Sequence, residues 1–516
     1  MEDERKEVDH RWKRATKRAD VFIQTFEECY EFTQPQRPSF YEEVEGERRD
    51  HRIYDSGPVT MTAEFANRMQ AGLAPEGSRW AALVGGPDLS DDEKAATRAD
   101  FEAVTNTVFE AIHESNFGDA LNEVLLDLSV GTGGMIVNDN HSTGHIENIP
   151  VPLPFLRIDN GPDGKVDTNF RTQRLKADDI PVLWGKNALI PGCMTDAEGQ
   201  NKEHIVRDVV YRDWSRLDSE VFKYKVFAEA DKENFIFEDE FKGRGSNPWI
   251  TARWSKAGGE AFGRGPVFNT LGDIKALNLT MQLIFENAEM AVTGMWQAID
   301  DGVLNMDTIM FVPGVVLPTG PNGGITPLQP GGSFDVSMLI LNEMRQNIRK
   351  ALYSDTLGTP EGTPMSATEV AQRMAELART VGAPLSRLWH ELFVPYLERV
   401  VYLLNKRGDI DLPRINDRII SVTAQSPLAR AARNEDITQF ANFAGLVGQI
   451  FGPQSAQMYM KDDKAIPQLA EWYSVPASWL RNTQERQQLA QQGLQAAGQA
   501  QEAGLDPTAL LQGNLP

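Results

Sequence analysis

The residues best suited by type and spacing to chemistry fall in a few short stretches, and each misses the pattern its chemistry needs. Gly131-Thr132-Gly133-Gly134 has the glycine density of a phosphate-cradling loop. A nucleotide loop needs GxxxxGK[ST] after a strand, so that backbone N–H groups and a lysine converge on the phosphates. Here the glycines follow an apolar helical run, and a packing turn fits better. Asp159 to Asp167 begins like a calcium loop. Its third position is Gly161 and its twelfth Phe170, so two oxygen ligands are missing and a β-turn is expected. The seven histidines are scattered, with no HExxH, and His390-Glu391 reads as part of a surface helix. No GxSxG elbow occurs. The acid pairs Asp91-Asp92 and Asp178-Asp179 read as caps and solvated faces. Nothing here requires catalysis: no enzyme, no cofactor and no metal is expected.

A chain of 516 residues is long enough for a large core or several domains. With 24% charged and 41% hydrophobic residues it has the composition of a soluble globular protein. The net charge is −23. Tight, extended nucleic-acid binding needs clustered Lys and Arg, so that class is disfavoured. A surface past which a polyanion slides without sticking is not. No apolar run reaches the eighteen residues of a membrane span, and the N-terminus lacks the apolar core of a secretory signal. Cys29 and Cys193 are the only cysteines, which fits a reducing compartment and excludes a disulfide framework.

The elements that would position any site are organised around Gly265–Tyr353. Phe268, Leu271, Ile274, Leu277, Met281, Ile284, Ala288 and Ala291 recur at three- and four-residue steps, predicting a helix over 266–295, about 45 Å long. Met338, Leu341, Met344, Ile348 and Leu352 predict a second over 334–353. Between them, short β-prone runs are cut by Pro313-Gly314, Pro321-Asn322-Gly323-Gly324 and Pro330-Gly331-Gly332, predicting a small β-rich tip. Helices are also predicted over 8–32, 60–73, 91–116, 117–130, 434–451 and 466–473. A longer helix over 370–407 is predicted to kink near Gly382-Ala383-Pro384 and near Pro395. Strands are predicted at 155–158, 204–212, 222–228, 234–237 and 249–254, and a strand or turn at 414–423. Arg11, Lys13, Arg14, Lys17 and Arg18 crowd one side of the first helix, a solvated face that an acidic partner could touch. The Gln- and Ala-rich tail from Arg481 stands between a thin-seamed helix and disorder.

A set of motifs, in order along nearly the whole chain, carries a family resemblance. It comprises Glu27-Glu28-Cys29-Tyr30 before the Pro35/Pro38 turn, Asp127–Gly133, Asp163–Asp167, Asn247–Trp254, Gly263–Pro266 with Asp273–Asn278, Pro313–Val316, Ser366–Val370, Ser426–Arg430 and Val475–Arg481. In this order they resemble the head-to-tail connecting (portal) proteins of short-tailed, podovirus-type bacteriophages.

The resemblance implies an α+β portal fold: an α/β wing, a two-helix stem, a small β-rich clip, a long kinked wing helix and an α-helical crown, assembled as a ring. By position, 1–265 would be wing, 266–295 and 334–353 stem, 296–333 clip and 354–365 a tunnel loop. The span 366–433 would be wing helix and C-terminal wing, 434–480 crown, and 481–516 a barrel helix or disordered tail. It implies about twelve subunits in a closed ring at one capsid vertex, with double-stranded DNA passing through the lumen. The terminase large subunit, a tail adaptor, and the major capsid and scaffolding proteins are the partners it implies, with no membrane. The location would be the virion, and the host cytoplasm during assembly. The tunnel-loop residues facing DNA would be Asp355, Thr356, Leu357, Gly358, Thr359, Pro360, Glu361, Gly362 and Thr363. Lys275, Arg345, Arg349 and Lys350 are candidates for basic rings along the stem, or for ion pairs between neighbouring stems. Asp300, Asp301, Asp307, Asn322 and Gly323 are the clip candidates for docking terminase or adaptor. A different ring-forming virion component, such as a tail adaptor, is the alternative.

Overall fold

Val8, Ala15, Ala19, Phe22, Phe26, Cys29 and Tyr30 are all buried and lie on one side of helix α1, Glu2–Thr33. The helix starts earlier than its apolar stripe, because pairs one turn apart, Arg5–Asp9 and Glu7–Arg11, carry its first turns. The structure, a computed structural model, describes residues 2–41, 49–86, 91–140, 144–185, 188, 203–216, 219–293, 295–298, 325–328, 334–354, 381–411, 420–425, 439–447, 449–450, 466, 469–470 and 488.

After α1 come α2 (Gly57–Leu73), β1 (Ala81–Gly85), α3 (Asp91–His113) and α4 (Phe117–Val130). Next are β2 (Thr132–Asp139), β3 (Ile146–Val151), β4 (Leu156–Asn160), β5 (Val166–Lys176) and a short α5 (Ile180–Trp184). Then follow β6 (Glu203–Arg212), β7 (Val221–Ala228), β8 (Phe237–Lys242) and β9 (Trp249–Arg253). The paired helices are α6 (Pro266–Thr293) and α7 (Phe334–Ala351), with β10 (Met295–Ala298) and β11 (Ile325–Leu328) between them. The described chain closes with α8 (Gly382–Leu388), α9 (Val394–Arg407) and β12 (Ile420–Ala424).

The chain mixes helix with antiparallel sheet. β4 to β8 form a five-stranded sheet in sequence order, β3-β2-β9 a three-stranded one, and β1 pairs with β12. Strand alternation gives the large sheet two apolar faces. Phe170, Val209, Tyr211 and Phe227 meet Val8 and Ala15 of α1, while Val206, Val226 and Ala228 meet Ile180 of α5. The main core runs from α1 through α9, with Trp80 stacked on Phe117 and Phe117 on Tyr396.

Several strand expectations change. The strand expected at 234–237 lies instead at Phe237–Lys242, because Asp231 accepts bonds from the Glu233 and Asn234 N–H groups and holds the preceding residues in a turn. β5 was not expected: its Arg171, Gln173, Arg174 and Lys176 hide the alternation, although Phe170 pairs with Val209 at its centre. β1, β2 and β3 were also missed: β1 is a short segment completed by β12, far along the chain, whereas β2 and β3 form a local hairpin. The kink expected near Pro395 takes the form of a π-helical turn at Trp389–Phe393. A proline ring clashes with the carbonyl four residues back, here that of Glu391, and the wider turn gives it room.

Candidate functional site

Two helices that leave a body side by side must be fixed at their root, and the sequence places glycines there. Gly263, Arg264 and Gly265, just before Pro266, cross the α4–β2 turn at backbone contact. Gly265 N donates to Val130 O at 2.7 Å and Trp254 N to Gly131 O at 2.9 Å. Gly263 N donates to Thr132 Oγ1 at 2.8 Å. A Cβ on Gly265 would sit 2.0 Å from Ser129 O, and one on Gly131 2.2 Å from Gly263 O. No side chain fits at either position. The Gly131–Gly134 turn is therefore packed against backbone, as its context implied.

β9 ends beside this crossing at Arg253, which is 1% exposed. Its Nη2 donates to Glu391 Oε1 at 2.7 Å, and its Nε and backbone N donate to Oε2 at 3.1 and 3.0 Å. Its Nη1 reaches Asn160 Oδ1 at 3.1 Å. Glu391 is thus not a surface residue: the π-helical turn carries it onto Arg253. His390 beside it is exposed.

A clasp at 52–57 ties the two long helices together. From α6, Asn278 Oδ1 accepts from the Tyr54 N–H at 2.7 Å and the Asp55 N–H at 3.3 Å, and Nδ2 donates to Arg52 O at 2.8 Å. From α7, Arg345 Nε and Nη2 donate to Asp55 Oδ2 at 3.0 and 2.8 Å. The other oxygen of Asp55 accepts from the Gly57 N–H, in the first turn of α2, at 2.8 Å. Asp55→Ala should free α7 from the body. Losing two charge-assisted bonds and the helix-start acceptor costs about 2 kcal/mol, or about thirtyfold faster hydrogen exchange in α7. Unchanged exchange there would show that the clasp does not hold the pair.

α7 ends in a Schellman turn: Tyr353 N bonds Lys350 O at 3.1 Å and Ser354 N bonds Arg349 O at 2.8 Å. The left-handed position usually held by glycine is Tyr353, at φ 55°. Its ring packs on Trp254 and Phe65, with centroids 6.0 and 6.5 Å away, and Arg68 of α2 donates to Ser354 O. Surrounding contacts thus hold a conformation that a tyrosine resists.

The four expected stem cations divide. Lys275 pairs with Glu28 at 3.1 Å and Arg345 with Asp55, both partners lying in the same chain. Arg349 and Lys350 are exposed and form no ion pair with a described residue. Asp355, Thr356, Leu357, Gly358, Thr359, Pro360, Glu361, Gly362 and Thr363 lie outside the described residues, as do Asp300, Asp301, Asp307, Asn322 and Gly323. The calcium-like stretch is a β-turn whose oxygens have protein partners. Asp167 accepts from Trp214 Nε1 at 2.7 Å and from Thr168 Oγ1 at 2.9 Å, Asp159 pairs with Arg14 and Arg18, and Gly164 O accepts from Lys256 Nζ at 2.8 Å. Burial, with Arg253 nearby, pulls the Lys256 ammonium below its ordinary pKa. Among the described residues no group of three His, Cys, Asp or Glu is arranged to hold a metal.

Sequence reasoning did not single out Asp55, Asn278 or Arg253, nor the role of Glu391. Their partners lie far off in the chain, and no local pattern marks them. Only the Asp55-Ser56-Gly57-Pro58 run carries a signal, that of a helix start.

A glycine crossing, a buried ion pair and a clasp, all serving to fix a helical hairpin, define a structural scaffold. The sequence model of a family described as bacteriophage head to tail connecting protein matches residues 5–480, and the chain belongs to that family. It is a head-to-tail connector, a structural component of the phage virion. A probable portal protein of Bordetella phage BPP-1 is 25% identical over 493 residues, covering 87% of this chain and 83% of that protein. Two solved assemblies, the virion of a native gene transfer agent particle and the neck of an empty one computed with C6 symmetry, contain similar chains. They are 12% and 13% identical, cover 78% and 80% of this chain and 91% and 93% of theirs, and have TM-scores of 0.37 and 0.39.

Proposed function

We propose that this connector is a portal: a closed ring of about twelve copies at one capsid vertex, through which DNA enters and leaves. The observation that carries this is the outer surface of the hairpin. Leu279, Leu283 and Phe285 of α6 and Ile340 of α7 are 42–55% exposed, on helices whose polar anchors cluster at the root. Standing side by side around an axis, neighbouring hairpins would cover those faces, and a closed ring leaves no free end.

In this reading α6 and α7 are the stem and 296–333 the clip, which docks the terminase large subunit and later the tail adaptor. The residues up to 265, with 366–433, form the wing, 434–480 the crown, and 481–516 a barrel helix or tail. The segment 354–365, rooted at Tyr353 and Ser354, is the tunnel loop. Arg349 and Lys350 keep their charge available for a basic ring, whereas Lys275 and Arg345 brace the stem. A net charge of −23 per copy keeps duplex DNA from adhering as it slides. The ring assembles in the host cytoplasm with the major capsid and scaffolding proteins, and it performs no catalysis of its own.

Negative-stain images of the purified chain should show rings with a central hole. Monomers or open chains only, at high concentration, would end the portal reading.

A further inference from the structure

Each copy carries −23, so bringing copies into a ring works against self-repulsion unless opposite charges meet at the contact. A ring contact is heterologous: one flank of each copy meets a different flank of the next. The charge distribution offers two such flanks. Between His10 and Ala19, α1 carries Arg11, Lys13, Arg14, Lys17 and Arg18 and no acid. The body takes up part of this charge, with Arg11 on Glu7 and Arg14 and Arg18 on Asp159. Lys13 and Lys17 point outward one turn apart, exposed, with no ion pair to a described residue.

α3 has the opposite sign, six acids against two bases. Asp100 and Glu110 are exposed and, with Ala103 and Asn106, lie along one side of that helix; Arg79 donates to Asn106 Oδ1 at 2.5 Å, so the face carries two acids and one base. The two helices pack at different ends of α4. α1 reaches its last turns, where Tyr30 Oη donates to Asp127 at 2.6 Å and Gln34 Nε2 to Leu126 O at 2.8 Å. α3 packs through Phe109 onto Trp80, which stacks on Phe117 at the first residue of α4. The basic turns of α1 themselves lie on the five-stranded sheet, where Ala15 meets Phe170 and Arg14 and Arg18 pair with Asp159, so the basic and acidic faces sit on different parts of one copy.

We infer that the outer face of α1 docks on the acidic face of α3 in the adjacent copy, Lys13 and Lys17 against Asp100 and Glu110. This rests on the ring proposed above, and the occupant is a second copy of this chain.

The test is ring assembly of the full chain against protein concentration at about 0.1 M salt, where exposed charges about 10 Å apart still interact. Lys13→Glu with Lys17→Glu should raise the concentration for half-assembly at least about tenfold. Asp100→Lys with Glu110→Lys should do the same, and the four changes together should return within about threefold of the unaltered protein. Lys13→Gln with Lys17→Gln, which introduces no new acid, should give a smaller shift in the same direction. Far-ultraviolet circular dichroism of the unassembled variants would confirm that each folds. Normal assembly of the α1 variant, or no recovery in the quadruple variant, overturns the pairing. So does a variant whose rings form normally but lose duplex DNA, since the α1 face would then serve nucleic acid. If the unaltered chain forms no rings at all, it is the portal reading that falls.

Discussion

Gly265→Ala should destabilise the protein by at least about 3 kcal/mol, the upper range for forcing extra volume into a packed interior. The added carbon would lie 2.0 Å from Ser129 O and 2.4 Å from the carbonyl carbon of the same residue. Both are backbone atoms, which have no rotamer to move into. Relief would require prising the start of α6 from the end of α4, breaking the bond from Gly265 N to Val130 O. Gly272, one and a half turns into the same helix, is the control. A Cβ there meets nothing within 4 Å. Gly272→Ala should therefore stabilise the chain by about 0.5–1 kcal/mol, the helix-propensity gain. Urea denaturation of both variants decides the matter: equal midpoints would mean that the crossing yields at little cost.

Glu391→Gln should cost about 3 kcal/mol or more, the penalty for leaving a buried charge without its counter-charge. Arg253 is the charge left behind: nearly sealed from water, it keeps only Asn160 Oδ1, the Ala261 carbonyl and the neutral amide. Glu398→Gln is the comparison. Its partner Arg244 has a side chain 61% exposed, and such surface pairs contribute about 1 kcal/mol or less. Replacing both members, Arg253→Met with Glu391→Leu, should recover much of the loss, since a packed apolar pair often matches a buried ion pair. A Glu391→Gln midpoint no lower than that of Glu398→Gln would remove this ion pair as the lock between the kinked helix and the sheet.

The two contacts also show why parts of the site were legible in advance and parts were not. Gly131–Gly134 announced a packing turn, because its spacing failed the phosphate-loop test and a helix preceded it. What it packs against, Gly263–Gly265, is more than a hundred residues away, and nothing in either stretch names the other. His390-Glu391 looked like surface because a regular helix was assumed. The π-helical turn that reorients Glu391 follows from Pro395 four residues later, a relation that can be read in hindsight. Lys275 and Arg345 could have faced a channel or a neighbouring stem. Glu28 and Asp55, distant acids of the same chain, decide otherwise.

The helices expected over 370–380 and 466–473 lie wholly or largely outside the described residues. The sequence by itself determined most of the described helices, their apolar faces, the hairpin and the family. These depend on periodicities of 3.6 and 2 and on turn residues, which act over a few positions. The motif set that carried the family resemblance likewise needs only order along the chain. Tertiary structure alone decided which cations remain free, which strands complete the sheets, and how the hairpin is fixed to its base. Each of those outcomes depends on a partner brought close by folding, and Coulombic, hydrogen-bond and steric energies depend on distance through space, not along the chain.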